Sequence, residues 1–145
     1  MATTYAAPHL ASRLRLAVAR TARRLRQEAG GGLSPTLTAA LASIENHGPL
    51  TPSELAERER VKRPTATRLI GTLEESGLVV RALDPGDRRS SLIAITPEGR
   101  ALMRTLRTRK DLYLAQRLRK LSAQERETLD RAADLLERLL EEDPA

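Results

Sequence analysis

The residues of this chain whose types and spacing could do chemistry are guanidiniums and hydroxyls set at helical intervals. Between Glu59 and Glu74 stand Arg60, Lys62, Arg63 and Arg68 with no acid among them, interleaved with Thr65, Thr67 and Thr72. Threonine methyls and hydroxyls can meet thymine methyls and base or phosphate oxygens, and an arginine can grip guanine O6 and N7 in bidentate fashion. A second set follows at Asp84-Pro85-Gly86-Asp87-Arg88-Arg89, which carries two cations at the tip of a turn-forming run. A minor groove or phosphate backbone could receive Arg88 and Arg89 there, and Asp87 is close enough in sequence to orient one of them. Other chemistries lack their motifs. There is no H-E-x-x-H, no G-x-S-x-G, no Walker loop and no cysteine, which excludes disulfides, thiolate metal sites and thiol nucleophiles. The carboxylates fall at helix caps or in charge pairs, so no enzyme is expected and no cofactor or metal is implied.

These side chains need elements to position them. Thr51-Pro52-Ser53-Glu54 reads as a capping box with proline in the first turn, opening a helix that turns Leu55 and Ala56 inward. That helix must break near Glu59 to Arg63, because proline disfavours helical geometry in the residue before it. Pro64 then sits in the first turn of a second helix, on which Ala66, Leu69, Ile70 and Leu73 share one side. At about 100° per residue, Pro64, Arg68, Gly71 and Glu75 project away from that side, with Thr65 and Thr72 on one flank and Thr67 on the other. Gly77 ends the helix, and two β-rich runs, Leu78 to Arg81 and Leu92 to Thr96, bracket the charged tip as a hairpin. Two helices joined by a tight turn, the second with a small, hydroxyl-rich and basic outer face, suit insertion into a DNA major groove. Arg63, Thr65, Thr67 and Arg68 are the candidate groove residues, Thr51 and Lys62 at the two helix starts the candidate backbone contacts.

The run resembles the winged helix of the MarR family of bacterial transcription regulators. The resemblance lies in Thr67-Arg68-Leu69, Gly77-Leu78-Val79-Val80-Arg81, Asp84-Pro85-Gly86-Asp87-Arg88-Arg89 and Ile95-Thr96-Pro97-Glu98-Gly99. Isoleucine stands for the usual leucine before Thr96, and Pro64 stands where a serine is commoner. It implies that Thr65, Thr67 and Arg68 lie in the major groove and that Arg89, braced by Asp87, reaches the minor groove. It implies also a pocket between a helical dimer region and the winged helix, where a small-molecule effector would alter the separation of the two recognition helices. The missing cysteine excludes the cysteine-dependent peroxide sensors found among similar proteins.

Composition agrees with a nucleic-acid partner without establishing one. The net charge is +6, and arginine, which forks onto phosphates, supplies 22 of the 25 cations. With 40% apolar residues, no Phe, no Trp and only Tyr5 and Tyr113, the 145 residues imply one aliphatic, mainly helical unit. No apolar run approaches the roughly 20 residues needed to cross a bilayer, and Met1 to His9 has no signal-peptide core, so a cytoplasmic location is expected.

The flanks read as helices. Residues Met1 to Ala7 lack pattern and are expected to fray. Leu10, Leu14, Ala17, Val18, Thr21, Ala22 and Leu25 keep a stripe that Gly30-Gly31-Gly32 ends in a turn. Six arginines and no acid between Arg13 and Arg26 fit a solvated face, a secondary DNA-backbone contact or an acidic partner. Ser34-Pro35 opens a helix lined by Leu37, Leu41 and Ile44 and stopped at Asn46-His47-Gly48-Pro49. Thr96-Pro97 opens a long helix through Lys120, and Ser122-Ala123-Gln124-Glu125 caps a last one bearing Leu129, Leu135, Leu136, Leu139 and Leu140. Their leucine faces exceed what a chain of this size can cover, and a symmetric dimer joined through Leu10, Leu14, Leu129, Leu136, Leu139 and Leu140 is the economical solution.

The expected fold is therefore mainly α with a small β-hairpin wing. Residues 34–96 form the winged helix-turn-helix, and 1–33 with 97–145 the helical dimerisation region, in one intertwined domain. The expected function is sequence-specific duplex-DNA binding by a homodimer on a palindromic operator, as a repressor, with release by an effector at Tyr113. An aliphatic effector pocket and the lack of any effector both stay open. A winged-helix protein-interaction module without sequence-specific DNA binding is the alternative.

Overall fold

The computed structural model describes residues 7–141, so Tyr5 and the Arg88 side chain, both named above, lie outside the described residues, as do residues 1–6. Six helices and a hairpin follow in the order α1 (Ala7–Ala29), α2 (Pro35–His47), α3 (Pro52–Glu59), α4 (Arg63–Glu75), β1 (Val79–Asp84), β2 (Asp87–Ile95), α5 (Pro97–Leu118) and α6 (Ala123–Glu141). The starts of α2, α3 and α5 share one device. The hydroxyls of Ser34, Thr51 and Thr96 accept the N–H groups of Leu37, Glu54 and Gly99 at 3.2, 3.1 and 3.0 Å, and a proline follows each cap. Ser122 does the same for Glu125 at 3.1 Å, and the Glu125 carboxylate accepts the Ser122 N–H at 2.9 Å. That backbone hydrogen bond, with the Ser122 side chain, holds Glu125 below the usual carboxylate range.

Two boundaries differ most from expectation, and α5 also stops at Leu118, short of Lys120. α1 begins at Ala7, ahead of the periodic stripe, because Pro8 is well suited to a first turn; His9 is thus an exposed helical residue. The hairpin is longer than its apolar runs, since the strands continue through Asp84 and from Asp87, leaving only Pro85-Gly86 as the loop.

The core gathers around α2, α3, α4 and the wing base. Leu41, Ile44, Leu50, Leu55, Ile70, Leu73, Val79 and Ile93 are fully buried. Leu50 and Ile93 exchange both backbone hydrogen bonds, at 2.9 and 2.7 Å, so the segment before α3 is pinned to β2 as a one-bridge third strand. Met103 and Leu106 on the first half of α5 and Ala29 at the end of α1 join the same core. Gly99 is required there, because a Cβ would overlap the Leu78 carbonyl oxygen. Thr96, buried beside it, also donates its hydroxyl to the Gly77 carbonyl at 2.7 Å, tying the end of α4, the wing and α5 together.

The helices outside this core are barely covered. α6 buries no residue, and Leu112 on the outer half of α5 is 60% exposed. Among the described residues no helix is long and apolar enough to cross a membrane.

Candidate nucleic-acid interface

The turn between α3 and α4 is made by Arg60, whose backbone is left-handed at φ 53° and ψ 45°. Its N–H reaches the Glu57 carbonyl at 3.2 Å, and the next N–H, of Val61, reaches Ala56 at 3.0 Å. The chain thus reverses within a few residues, and α4 starts at Arg63. Ala66, Leu69, Ile70 and Leu73 are buried, as their spacing requires. The opposite face carries Arg63, Thr67 and Arg68, all exposed, with Thr65 half-buried at its edge. Lys62 is the N-cap and is exposed, with no side-chain cap hydrogen bond. Among the described residues no carboxylate pairs with Lys62, Arg63 or Arg68. These cations are therefore without an ion-pair partner among the described residues and open to an anion.

Two neighbouring hydroxyls are already committed. Thr72 donates to the Arg68 carbonyl at 3.1 Å. Thr51 accepts the Glu54 N–H at 3.1 Å and donates to the Glu54 carboxylate at 3.1 Å. A phosphate oxygen is an acceptor, so Thr51 could serve one only by releasing Glu54.

The wing tip is set by two aspartates. Asp84 accepts the Gly86 N–H at 2.9 Å, and Asp87 accepts the Arg89 N–H at 3.0 Å. Leu83 pairs with Ser91 but Asp84 pairs with Asp87, so Arg88, Arg89 and Ser90 are bulged out of the ladder. Arg89 is exposed on that bulge. Asp87 thus braces Arg89, of the two arginines it could orient, and does so through the backbone N–H. The bulge aims the residue and leaves the guanidinium free of a described partner.

A second tie at the wing base was not anticipated. Arg81 donates Nε to the Glu74 carboxylate at 3.1 Å, joining β1 to the last turn of α4. Strand alternation held the signal, since Arg81 shares the face of buried Val79 and so leans toward the acidic end of α4.

Tyr113 stands on α5 and meets Arg24 of α1. Its phenol oxygen accepts Nε–H bonds from Arg24 at 3.0 Å and Arg117 at 3.1 Å, and both guanidiniums also sit over its ring. Burial raises the phenol pKa, but the hydrogen bonds and charges of Arg117 and Arg24 outweigh it and leave the group below its ordinary value. Arg24 is raised, first by its hydrogen bond to Tyr113. A cleft of ≈ 50 Å³ at the junction of α1, α2 and α5 is lined by Arg26, Leu33, Thr38, Leu106 and Lys110 but not by Tyr113. That volume is well below the roughly 300 Å³ of a drug-sized site.

Similarity to known proteins follows the same layout. Residues 33–91 match the model of the MarR family. The chain is 40% identical over 136 residues to an uncharacterised HTH-type transcriptional regulator of Mycobacterium bovis, covering 93% of this chain and 95% of that one. A transcriptional-regulator candidate from Pseudomonas aeruginosa PA01 superposes with a TM-score of 0.87 at 33% identity, over 97% of this chain and 99% of that one. An S. aureus MepR mutant bound to an oligodeoxyribonucleotide shares the fold, with a TM-score of 0.69 at 21% identity over 92% of this chain and 98% of its own. With an outward cationic helix face, a bulged arginine wing and these relatives, the chain belongs to the MarR family of helix-turn-helix transcriptional regulators.

Proposed function

We propose that two copies of this chain grip a palindromic duplex operator, with Arg63, Thr65, Thr67 and Arg68 of each α4 in successive major grooves about 34 Å apart. Arg89 enters the flanking minor groove on a bulge braced by Asp87, with Arg88 beside it, and Lys62 and the start of α3 at Thr51 face phosphates. Residues 34–96 act as the DNA-binding region, while 1–33 and 97–145 join the copies through Leu10, Leu14, Leu129, Leu136, Leu139 and Leu140. The observation that carries this reading is the outward set of cations on α4 and the wing, Lys62, Arg63, Arg68 and Arg89, that make no ion pair among the described residues. Support for the dimer comes from α6, which is leucine-striped yet buries nothing. Repression follows most simply, because a dimer seated on a promoter excludes other proteins without needing an activating surface.

Release by an effector belongs to the same proposal. Such a ligand must bind the DNA-incompetent spacing more tightly, since equal affinity shifts nothing. At Tyr113 it would have to displace the Arg24 and Arg117 hydrogen bonds, which favours an anion able to satisfy both guanidiniums.

Fluorescence anisotropy with duplex from the gene's own upstream region, at two salt concentrations, tests the reading. Affinity should fall steeply with salt, and Arg68→Ala should cost about 1–3 kcal/mol if Arg68 reads a guanine. Salt-independent binding removes the phosphate contacts from the reading, and a folded Arg68→Ala protein with unchanged affinity removes Arg68 from the reading role.

A further inference from the structure

We propose that Glu74 and Arg81 form a strut that sets the angle between the recognition helix α4 and the wing, so that both reach their grooves together. The inference rests on the DNA-binding reading of those two elements. Arg81 Nε lies 3.1 Å from Glu74 Oε2, and the two side chains are 36% and 42% exposed. An ion pair this open to water contributes little to stability. An acid on a helix meant for a polyanion also repels phosphate, so Glu74 is unfavourable for affinity unless its carboxylate is neutralised locally.

The placement makes orientation the natural role. Arg81 pairs across the ladder with Ile93, and Ile93 is itself bridged to Leu50, so Arg81 stands on the best-anchored part of the hairpin. Beyond it Leu83 is 74% exposed and the ladder bulges, leaving the outer wing without apolar packing. Glu74 lies on the last turn of α4, and the candidate readers lie on the first two turns. A rigid helix carries any tilt at the strut to the readers at its other end. Glu74 and Arg81 are positioning residues, acting through Arg89 and the α4 face.

The chain has no cysteine, so nitroxide pairs can be confined to Glu75→Cys on α4 and Leu83→Cys on the wing. In the free protein Glu74→Gln should broaden the label-to-label distance distribution without moving the thermal midpoint, and the exchanged pair Glu74→Arg with Arg81→Glu should narrow it again. An unchanged width overturns the strut whether or not the protein binds DNA. On the upstream duplex, Glu74→Gln should weaken binding about fivefold in the otherwise native protein and hardly at all in Arg89→Ala, the signature of coupled residues. Equal losses in both backgrounds, or tighter binding by a freed Arg81, refute it. If the native protein ignores the duplex, the DNA-binding reading falls and the distance measurement alone judges the strut.

Discussion

The winged helix and the helical arms are built from the same aliphatic residues and satisfy them differently. In the first, leucines and isoleucines of α2, α3, α4 and β2 close on one another, and Leu41, Leu55, Ile70, Leu73 and Ile93 are sealed within a single chain. In the second, the stripes on α1 and α6 are equally regular but face outward, and among the described residues all the exposed large apolar side chains except Val80 and Leu83 lie on α1, α5 or α6. Amphipathic periodicity reports that a face will be covered without saying by what. The first region is complete in one copy, and the proposed dimer supplies the cover for the second.

That contrast breaks most sharply when one leucine is removed from each region. Leu73→Ala should cost about 2–5 kcal/mol in denaturant unfolding, the loss expected for a sealed core leucine. Leu136→Asp should leave amide-exchange protection at Leu69 and Leu73 intact, yet turn a concentration-independent dimer into a monomer in sedimentation. Operator affinity should then fall about a hundredfold, because the second half-site loses its tethered partner. A dimer that survives Leu136→Asp moves the proposed interface off α6. Next in size is Gly99→Ala, which forces α5 away from the Leu78 carbonyl and should cost about 1–3 kcal/mol in the same unfolding experiment. An unchanged midpoint would mean that α5 is free to slide and is not locked to the wing base.

What the sequence disclosed and withheld follows from range. Caps at Ser34, Thr51, Thr96 and Ser122, and the buried face of α4, are decided by residues three or four apart, so composition and spacing reveal them. The pairings that position the site span longer separations. Glu74 meets Arg81 only after the chain reverses at Gly77, Leu50 meets Ile93 across the core, and Tyr113 meets Arg24 from another helix. Asp87 illustrates a subtler loss. Its proximity to the wing arginines was plain, but that it holds Arg89 by the backbone N–H, where the strand bulges out of the ladder, is seen only in the structure. The reach of the hairpin was hidden for a related reason, since Asp84 and Asp87 have poor strand propensity and pair only because Asp84 also closes the turn at Gly86.

The smallest expected effect sharpens the comparison at the one place where the well-packed region carries backbone strain. Arg60 is the only non-glycine with positive φ among the described residues, in a turn that glycine would make without a Cβ penalty. Its side chain is exposed. Arg60→Gly should therefore stabilise the fold, by about 0.5 kcal/mol once the greater freedom of glycine in the unfolded chain offsets part of the relieved strain. If the guanidinium neutralises a phosphate beside the α3–α4 turn, the same change should weaken operator binding and reduce the slope of log affinity against log salt by about 0.9. Stability and affinity then move in opposite directions, which a packing role cannot produce. A destabilised Arg60→Gly protein would instead make Arg60 part of the scaffold, and a stabilised one with native affinity would leave the strain without a function in DNA binding.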